Sequence, residues 1–316
     1  MSHKMQKSSI VIISILLLII LGLVYLLYMS KENPVVEKDM SSATAYSSAS
    51  VSVANALPVA SGVSLNSGSS ITLYPNPATT SVSVGATITD ANGCNDIASV
   101  DIAVYKNGTT CTSVANANDD TCYFATVASS SADISGCSGG SDTSSVLSHT
   151  FDFKSFADPG TWTANITPTD IEATGISASS SVALNETLAL DVTSSLNYGA
   201  VAGGSSSVGD HTITTTDLGN VAIDFDLIGS DLICNGGVNP QGSIPTGNLQ
   251  YDLASFTYGN GTALSSTTQT AVNANLATTS VASPTTSADT YWQVAVPSGV
   301  RGICSGQITF SAISAL

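Results

Sequence analysis

The strongest candidates for chemistry in this sequence are short oxygen-bearing side chains grouped around one turn. Asp90, Asn92 and Asp96 surround a glycine in the pattern D-x-N-G-x-x-D. A Ca²⁺ loop uses such spacing because a tight turn directs carboxylate and carbonyl oxygens inward. Asp158 and Asp170 lie in predicted loops that a β-sandwich could bring to the same place. Asp and Asn beside Gly also form turns without an ion, so we expect no cofactor, with a structural Ca²⁺ at these five residues as the alternative.

Side chains that could act as catalytic bases are few. Only His149 and His211 follow the N-terminal region, and Glu172 and Glu186 are the only glutamates beyond residue 37. Serine is so abundant that some Ser near a His is expected from composition alone. We therefore predict no catalytic residues and no enzyme activity, and a secreted hydrolase is the lower alternative.

The six cysteines all lie in the C-terminal four-fifths of the chain. An even number outside the cytoplasm indicates disulfides, and the absence of a C-x-x-C pair argues against zinc. One bridge would close the short polar loop between Cys111 and Cys122, although four neighbouring cysteines allow three connectivities. The last two are paired mainly because they lie far from the rest. The predicted disulfides are Cys94–Cys137, Cys111–Cys122 and Cys234–Cys304.

The sequence also contains acceptor motifs for N-linked glycans. The pattern Asn-x-Ser/Thr occurs at Asn107, Asn165, Asn185 and Asn260. A chain this rich in Ser and Thr produces several such motifs by chance, so their number is not evidence of glycosylation.

The composition favours β-structure and excludes one class of partner. Only 9 % of residues are charged while 43 % are hydrophobic, and the net charge is −16. Ser, Thr, Gly, Ala and Val replace the usual Leu, Lys and Glu, which favours strands over helices. Seven Lys and Arg, three of them beyond residue 38, cannot form the basic patch that nucleic-acid binding requires.

The candidate residues all follow one apolar segment. Residues 9–29 carry no charge, and at about 1.5 Å per residue a helix of this length crosses a bilayer core. We predict a single transmembrane helix that is not cleaved, with residues 1–8 as a basic cytoplasmic tail and residues 30–316 outside the cell. Lys7-Ser8-Ser9 also resembles the processing site of type IV pilin-like precursors, in which the helix would pack into a filament core.

Beyond the apolar segment the chain divides into a stalk and two β-rich parts. Residues 30–58 are Ser- and Ala-rich and are predicted to form a flexible stalk. Alternating apolar and polar positions predict strands at 81–89, 97–105, 146–153 and 161–168, with a loop from 109 to 145. Short strands separated by turns about every ten residues are typical of sandwiches. We predict two tandem Ig-like β-sandwich domains, at 59–184 and 185–316, in an all-β fold.

Two stretches resemble a known group of domains. ATITDANGCNDIASVDIAVY at 86–105 and FDFKSFADPGTWTANITPTD at 151–170 are similar to immunoglobulin-like domains of archaeal and small-genome bacterial cell-surface proteins. The resemblance covers about 85 residues and implies a surface module with a stabilising role. YWQVAVPSGVRGICSGQITFSA at 291–312 looks like the final hairpin of sandwich domains in similar surface proteins.

Together these patterns predict a membrane-anchored cell-surface protein with a structural or adhesive function. It would be an envelope component or a displayed binding module, held in the membrane through residues 9–29. Its partners would be a second copy, or a surface protein or glycan, and not nucleic acid. A pilin-like filament subunit is the alternative.

Overall fold

The computed structural model describes residues 15–28, 48–139 and 141–315. Residues 15–28 form one α-helix, α1, in which every residue is exposed. No helix among the described residues has the length and apolar character needed to cross a membrane. Residues 9–14 and 29 of the predicted span lie outside the described residues, as do the predicted tail at 1–8 and residues 30–47 of the predicted stalk.

The rest of the described chain is all-β, and Ala54–Leu316 form one compact unit. Its first eight strands, which we call the first β-unit, are β1 (Val59–Leu65), β2 (Thr79–Thr89), β3 (Ile97–Lys106), β4 (Cys122–Ala128), β5 (Ile134–Ser135), β6 (Ser144–Lys154), β7 (Gly160–Asp170) and β8 (Ala178–Leu184). The second β-unit contains β9 (Leu190–Val192), β10 (His211–Asp217), β11 (Ile223–Gly229), β12 (Leu232–Gln241), β13 (Ser243–Ile244), β14 (Leu249–Asp252), β15 (Thr262–Ala263), β16 (Thr270–Leu276), β17 (Thr286–Val294), β18 (Arg301–Ser305) and β19 (Ile308–Ser314).

The first β-unit consists of two four-stranded antiparallel sheets that share one core. Their strand orders are β1-β2-β6-β5 and β4-β3-β7-β8. Every second residue of β2 faces inward, so Val82, Val84 and Ile88 are fully buried. Val100 and Ile102 of the other sheet belong to the same hydrophobic cluster. Two sheets burying their alternating apolar faces against each other form a sandwich.

Aromatic side chains fill the centre of this core. Trp162, predicted as the core aromatic, is fully buried, and its ring lies 5.0 Å from that of Phe153. Tyr123 stacks on Phe153 with ring centroids 4.1 Å apart. The Trp162 indole N–H donates to the carbonyl of Asp158 at 2.8 Å, which satisfies its one polar atom.

The second β-unit is assembled from three sheets, one of five strands and two of three. Their orders are β15-β14-β17-β10-β9, β16-β11-β19 and β13-β12-β18. Trp292 and Phe225 are fully buried in a core separate from that of the first β-unit. Many of the apolar side chains packed against it are only partly buried, among them Phe310 and Val300. The predicted boundary at 184/185 falls between β8 and β9.

A small set of hydrogen bonds connects the two β-units at a region that we call the joint. The Asn220 side chain is fully buried and donates to the carbonyl of Ala157 at 3.0 Å. The Asn76 N–H donates to the carbonyl of Leu218 at 3.1 Å. A Cβ at Gly219 would lie 2.0 Å from the carbonyl oxygen of Thr187, so only glycine allows this close approach of two backbones.

Three disulfides join the cysteines of the described chain in the pairs that the sequence suggested. Cys94–Cys137 and Cys111–Cys122 lie in the first β-unit, and Cys234–Cys304 joins directly opposed residues of β12 and β18. No cysteine is free. The choice among the three connectivities of the first four cysteines is therefore resolved by the fold.

One element of the first β-unit differs from expectation. The predicted loop at 109–145 contains β4, which pairs with β3 along seven residues, and the two-residue β5. Cys122, Tyr123 and Val127 of β4 are buried. Composition concealed this strand, because the segment before it is rich in Thr, Asn and Asp and the segment after it is rich in Ser and Gly, as loops are. Pairing with a central strand decided its conformation.

Candidate functional site

Three carboxylates converge where β2 and β7 stop and β3 begins, a place that we call the entry end of the first β-unit. Asp90 immediately follows β2, and Asp96 is the last residue of a 3₁₀ turn that leads into β3. Asp170 ends β7, opposite Ile97 at the start of β3. One carboxylate oxygen from each aspartate lies within 4.8 Å of the other two. Antiparallel pairing of β3 with β7 brings these distant sequence positions together.

Asp90 is the most buried member of the group, with 1 % of its surface exposed. Its Oδ1 accepts a hydrogen bond of 2.8 Å from the Asn92 N–H, and its own N–H donates to the carbonyl of Thr143 at 2.9 Å. Its buried Oδ2 has no hydrogen-bond partner among the described residues. A buried carboxylate oxygen without a partner is costly, so a positive ligand at this atom would stabilise the site.

The Asp170 carboxylate has more hydrogen-bond partners than that of Asp90. It is 3 % exposed, and its Oδ1 accepts hydrogen bonds from the N–H groups of Glu172 at 2.7 Å and Ala173 at 2.5 Å. Its Oδ2 accepts from the Asn55 side chain at 2.8 Å. The Asn55 hydrogen bond, followed by the one from Ala173, lowers the pKa of the Asp170 carboxyl from its ordinary value. The group is therefore favoured as a carboxylate.

The charge in this group is unbalanced. Within the described part of the chain, neither ion pair involves Asp90, Asp96 or Asp170. Two like charges about 4 Å apart repel by about 4 kcal/mol at an effective dielectric constant near 20. Three such oxygens, two of them on buried residues, form a site whose simplest chemical use is to bind a cation.

The chain that leads into β1 lies against this site. We call residues 54–58 the entry strap. The Ala56 N–H donates to Oδ1 of Asn92, whose Nδ2 donates to the carbonyl of Ala54. Pro58 is buried, and a Cβ at Gly175 would lie 2.0 Å from its carbonyl oxygen. The last residues of the predicted stalk thus pack on the entry end, where only a glycine at 175 leaves room for them.

A disulfide fixes the turn that carries Asp90 and Asp96 to a second loop, away from the entry strap. Cys94, bonded to Cys137, donates its N–H to the carbonyl of Asp142 at 2.7 Å. The Asp142 carboxylate accepts from the N–H and hydroxyl of Ser138 and from the N–H of Gly139, which lowers its pKa. The turn that carries Asp90 and Asp96 is therefore attached to the β5–β6 loop.

Two of the five predicted metal ligands do not join this group of carboxylates. Asp158 precedes β7, whereas Asp170 ends it, and the eleven residues of this strand at about 3.3 Å each place them roughly 35 Å apart. Asp158 instead forms an ion pair with Lys106, with Nζ and Oδ2 3.0 Å apart. Asn92 is next to the group, but its side-chain oxygen already accepts from the entry strap.

The histidines and glutamates considered for catalysis are not placed together. His149 Nδ1 lies 3.1 Å from Oδ2 of Asp133, on the first β-unit. His211 lies on β10 with its ring 4.9 Å from that of Tyr198. Glu186 is exposed. An imidazole–carboxylate pair and a pair of packed rings are ordinary contacts in folded proteins and do not by themselves indicate catalysis. The absence of enzyme activity remains a prediction.

The four glycan acceptor asparagines differ in accessibility. Asn260 is exposed in the loop after β14, and Asn107 is exposed beyond β3. Asn185 is exposed, but its Nδ2 donates to Thr72 at 2.8 Å. Asn165 is half-buried in the middle of β7. Asn260 and Asn107 are the positions whose surroundings best fit a glycan.

The second β-unit contains a cleft of about 1000 Å³. Residues 192–201 form one wall and residues 300–308 the other, with Leu249 and Phe310 in its lining. The buried Tyr198 hydroxyl has no hydrogen-bond partner among the described residues. The size of this cleft is that of a small-ligand site, and its lining combines polar and apolar surface in comparable amounts.

The sequence did not indicate several residues that shape these sites. Asn55 lies in the segment interpreted as stalk, and Gly175 lies beyond the last strand predicted for the first unit. Nothing in their local sequence indicates contact with an acidic turn. Tyr198 follows Leu196 and Asn197, and nothing in this local sequence indicates that its ring would line a cleft. Each acquires its role through contacts with residues more than ten positions away, for which an alignment of related sequences would be the appropriate signal.

No protein-family model matches the chain, and no curated protein matches it. Among solved structures, the C-terminal domain of the antigen I/II-family protein AspA of Streptococcus pyogenes is 12 % identical, with a TM-score of 0.26, and the match covers 81 % of this chain and 95 % of that one. The C-terminal domain of the AgI/II polypeptide BspA of Streptococcus agalactiae is 12 % identical, with a TM-score of 0.24, covering 81 % and 96 %. TM-scores this low do not establish a common fold.

Proposed function

We propose that this chain is a cell-surface protein with residues 9–29 as a membrane anchor, residues 30–53 as its tether and the β-units outside the cell. The observation that carries this proposal is the set of three disulfides beyond the apolar segment. Disulfides persist in oxidising compartments and are rare in the cytoplasm. The basic residues Lys4 and Lys7 before the segment favour a cytoplasmic N-terminus.

The architecture of the first β-unit supports the same proposal. We infer an Ig-like topology, because its sheet orders correspond to the A-B-E-D and C′-C-F-G arrangement of immunoglobulin sandwiches. The inference does not extend to the second β-unit, since its strands divide among three sheets rather than two. Ig-like sandwiches are common in cell-surface proteins, and fold alone does not specify an activity.

Within that class, a non-enzymatic binding or adhesive function is supported best. The cleft of the second β-unit lies in the part of the sequence farthest from the proposed anchor, where a displayed module would meet its partner. We propose a second copy of the chain, or a surface protein or glycan, as the ligand. Glycans at Asn107 and Asn260 would be compatible with this role, because both residues are exposed outside the cleft lining.

Protease accessibility on intact cells tests the topology. A full chain tagged after Leu316 is expected to lose its tag when intact cells are treated with protease, while a cytoplasmic marker survives. Reduction followed by a membrane-impermeant thiol reagent should label the same cells. A tag that resists protease until the cells are lysed would contradict the proposal.

Beads coated with the full chain test the binding function. We expect them to adhere to one another or to the cells that produce the protein, and Val201→Glu in the cleft should abolish adhesion. Val208→Glu is the matched control, because Val208 is 96 % exposed and lies outside the cleft. Beads that bind neither copies nor cells would exclude the adhesive function while leaving surface display intact.

A pilin-like filament subunit is the second candidate. Every residue of α1 is exposed, and a helix apolar on all sides can be buried by copies of itself as well as by lipid. Mass determination of the native N-terminus, with electron microscopy of the same sample, distinguishes the two. An intact N-terminus and single particles support the anchor, whereas a new N-terminus near Ser9 and filaments support the pilin-like assembly.

A further inference from the structure

The three carboxylates at the entry end form an arrangement that hydrogen bonds within the protein do not complete. Asp90 and Asp170 are almost fully buried, and Asp96 is partly exposed beside them. Asp170 has partners for both oxygens, but the buried Oδ2 of Asp90 has none among the described residues. An unpartnered oxygen on a buried acid, next to two further acids, is a position at which a bound cation would be stabilising.

The geometry fits calcium. Ca²⁺ binds oxygen ligands at about 2.3–2.6 Å, so two oxygens bound to one ion lie at most about 5 Å apart. The three carboxylate oxygens meet this limit, because they lie within 4.8 Å of one another. Ca²⁺ takes six to eight ligands and accepts carbonyls and water beside carboxylates. The partly exposed Asp96 leaves one side open to solvent.

We propose that Asp90, Asp96 and Asp170 bind one Ca²⁺ ion, and that the ion holds the entry strap against the first β-unit. The site joins the strap to the β2–β3 turn and the end of β7, because Asn55 donates to Asp170 and the Ala56 N–H donates to Asn92 in that turn. Without the ion, repulsion among the carboxylates loosens the turn, and the strap loses the surface on which it rests. Calcium thereby determines whether residues 54–58 belong to the folded unit or to the tether before it.

Calcium titration of the full chain in mild detergent, after removal of divalent ions, tests binding. Isothermal titration calorimetry should show one ion per chain, with a Kd of about 10⁻⁴–10⁻³ M, as is common for extracellular modules. Mg²⁺ should bind at least tenfold more weakly, since it requires a near-octahedral site. Asp90→Asn and Asp96→Asn should each weaken Ca²⁺ binding at least tenfold, and both keep the size of the side chain. Wild-type protein that binds no Ca²⁺ overturns the proposal.

Asp152→Asn is the matched control. Asp152 is exposed on β6 and accepts from Ser81 at 3.0 Å, so the variant removes the same charge outside the site and should bind Ca²⁺ like wild type. If it weakens binding as much as Asp96→Asn does, the effect is one of net charge, and the assigned ligands are wrong. Asp96→Asn keeps the test decisive if Asp90→Asn does not fold, because Asp96 is not buried.

Hydrogen–deuterium exchange of the same samples tests the strap. Ca²⁺ should slow exchange at the Ala56 amide in wild type and in Asp152→Asn, but not in Asp96→Asn. Ca²⁺ that binds without protecting this amide would refute the effect on the strap. The inference concerns residues 54–175 alone, so it can fail while surface display holds, and surface display can fail while calcium binds.

Discussion

Asp90 at the entry end and Asp217 at the joint have the same local geometry in different surroundings. Asp90 follows β2 and Asp217 ends β10, and each is at most 1 % exposed. Each accepts a hydrogen bond of 2.8 Å from the N–H of the residue two positions later. In both, Oδ2 has no hydrogen-bond partner among the described residues. Asp90 faces two further carboxylates. Asp217 belongs to no such group in the part of the chain that the structure describes.

The difference shows how neighbours decide the way in which a buried acid is neutralised. Burial raises the pKa of Asp217 to about 6, although hydrogen bonds from the N–H groups of Gly219 and Leu218 act in the opposite direction. Burial of an isolated acid makes it keep its proton to a higher pH. Asp90, with Asp96 and Asp170 beside it, is one of several acids that share a site, and a divalent cation can satisfy them together.

Removing the disulfide at the entry end should have the largest effect on stability. The bridge Cys94–Cys137 closes a loop of 43 residues, and its loss in Cys94→Ser/Cys137→Ser should lower the free energy of unfolding by about 4 kcal/mol. Urea unfolding measures this free energy. Trp292→Phe in the background leaves Trp162 as the fluorescent reporter of the first β-unit. The control is Cys111→Ser/Cys122→Ser, whose 11-residue loop predicts about 3 kcal/mol. A larger loss in the control would contradict the loop-length argument.

The second prediction concerns the proton at Asp217. The native protein keeps this proton to a higher pH than the unfolded chain does, so this group's contribution to stability falls as pH rises from about 4 to about 6. Asp217→Asn should remove that pH dependence and raise the free energy of unfolding at pH 7 by roughly 2–3 kcal/mol. Unfolding curves across this pH range, read from Trp292 fluorescence, provide the measurement. A variant that is less stable than wild type at pH 7 would refute the assignment.

The third prediction uses two glycines that leave room for a neighbouring backbone. Gly175→Ala and Gly219→Ala each place a methyl group 2.0 Å from a carbonyl oxygen, that of Pro58 or Thr187, and each should cost about 1–3 kcal/mol. Only Gly175→Ala should increase amide exchange in the strap, and only Gly219→Ala should increase it around Asn220. Each variant is thus the control for the other, and equal changes at both places would mean that the entry end and the joint are coupled.

The smallest effect is expected from the ion pair between Lys106 and Asp158. Both side chains are 32 % exposed, and pairs that contact solvent contribute about 0–1 kcal/mol. Lys106→Met should therefore lower the free energy of unfolding by less than about 1 kcal/mol, and the difference should shrink at high salt. Chemical denaturation at low and high salt measures this. If Lys106→Met lowers the free energy of unfolding as much as the disulfide variant does, this ion pair contributes far more than a solvent-exposed pair should.

Local patterns predicted much of the first β-unit. β2, β3, β6 and β7 occur within two residues of the predicted bounds, because each alternates between a core face and a solvent face. The turn at Asp90 was also predictable, since Asp, Asn and Gly favour tight turns by themselves. The strand β4 was not, because its pairing with β3 overrides a loop-like surrounding composition.

The sequence by itself determined that the chain is β-rich, that its acidic turn follows a strand, and that six cysteines stabilise the part after the apolar segment. Each of these follows from residue types and short spacings. Only the tertiary structure decided which acids meet. Asp170 reaches Asp90 because β7 runs antiparallel to β3, while Asp158 lies at the other end of β7. Similar local turns thus have different consequences, because contacts between distant residues set the charge around each acid: Asp217 keeps its proton to a higher pH, and Asp90 lies beside two further carboxylates.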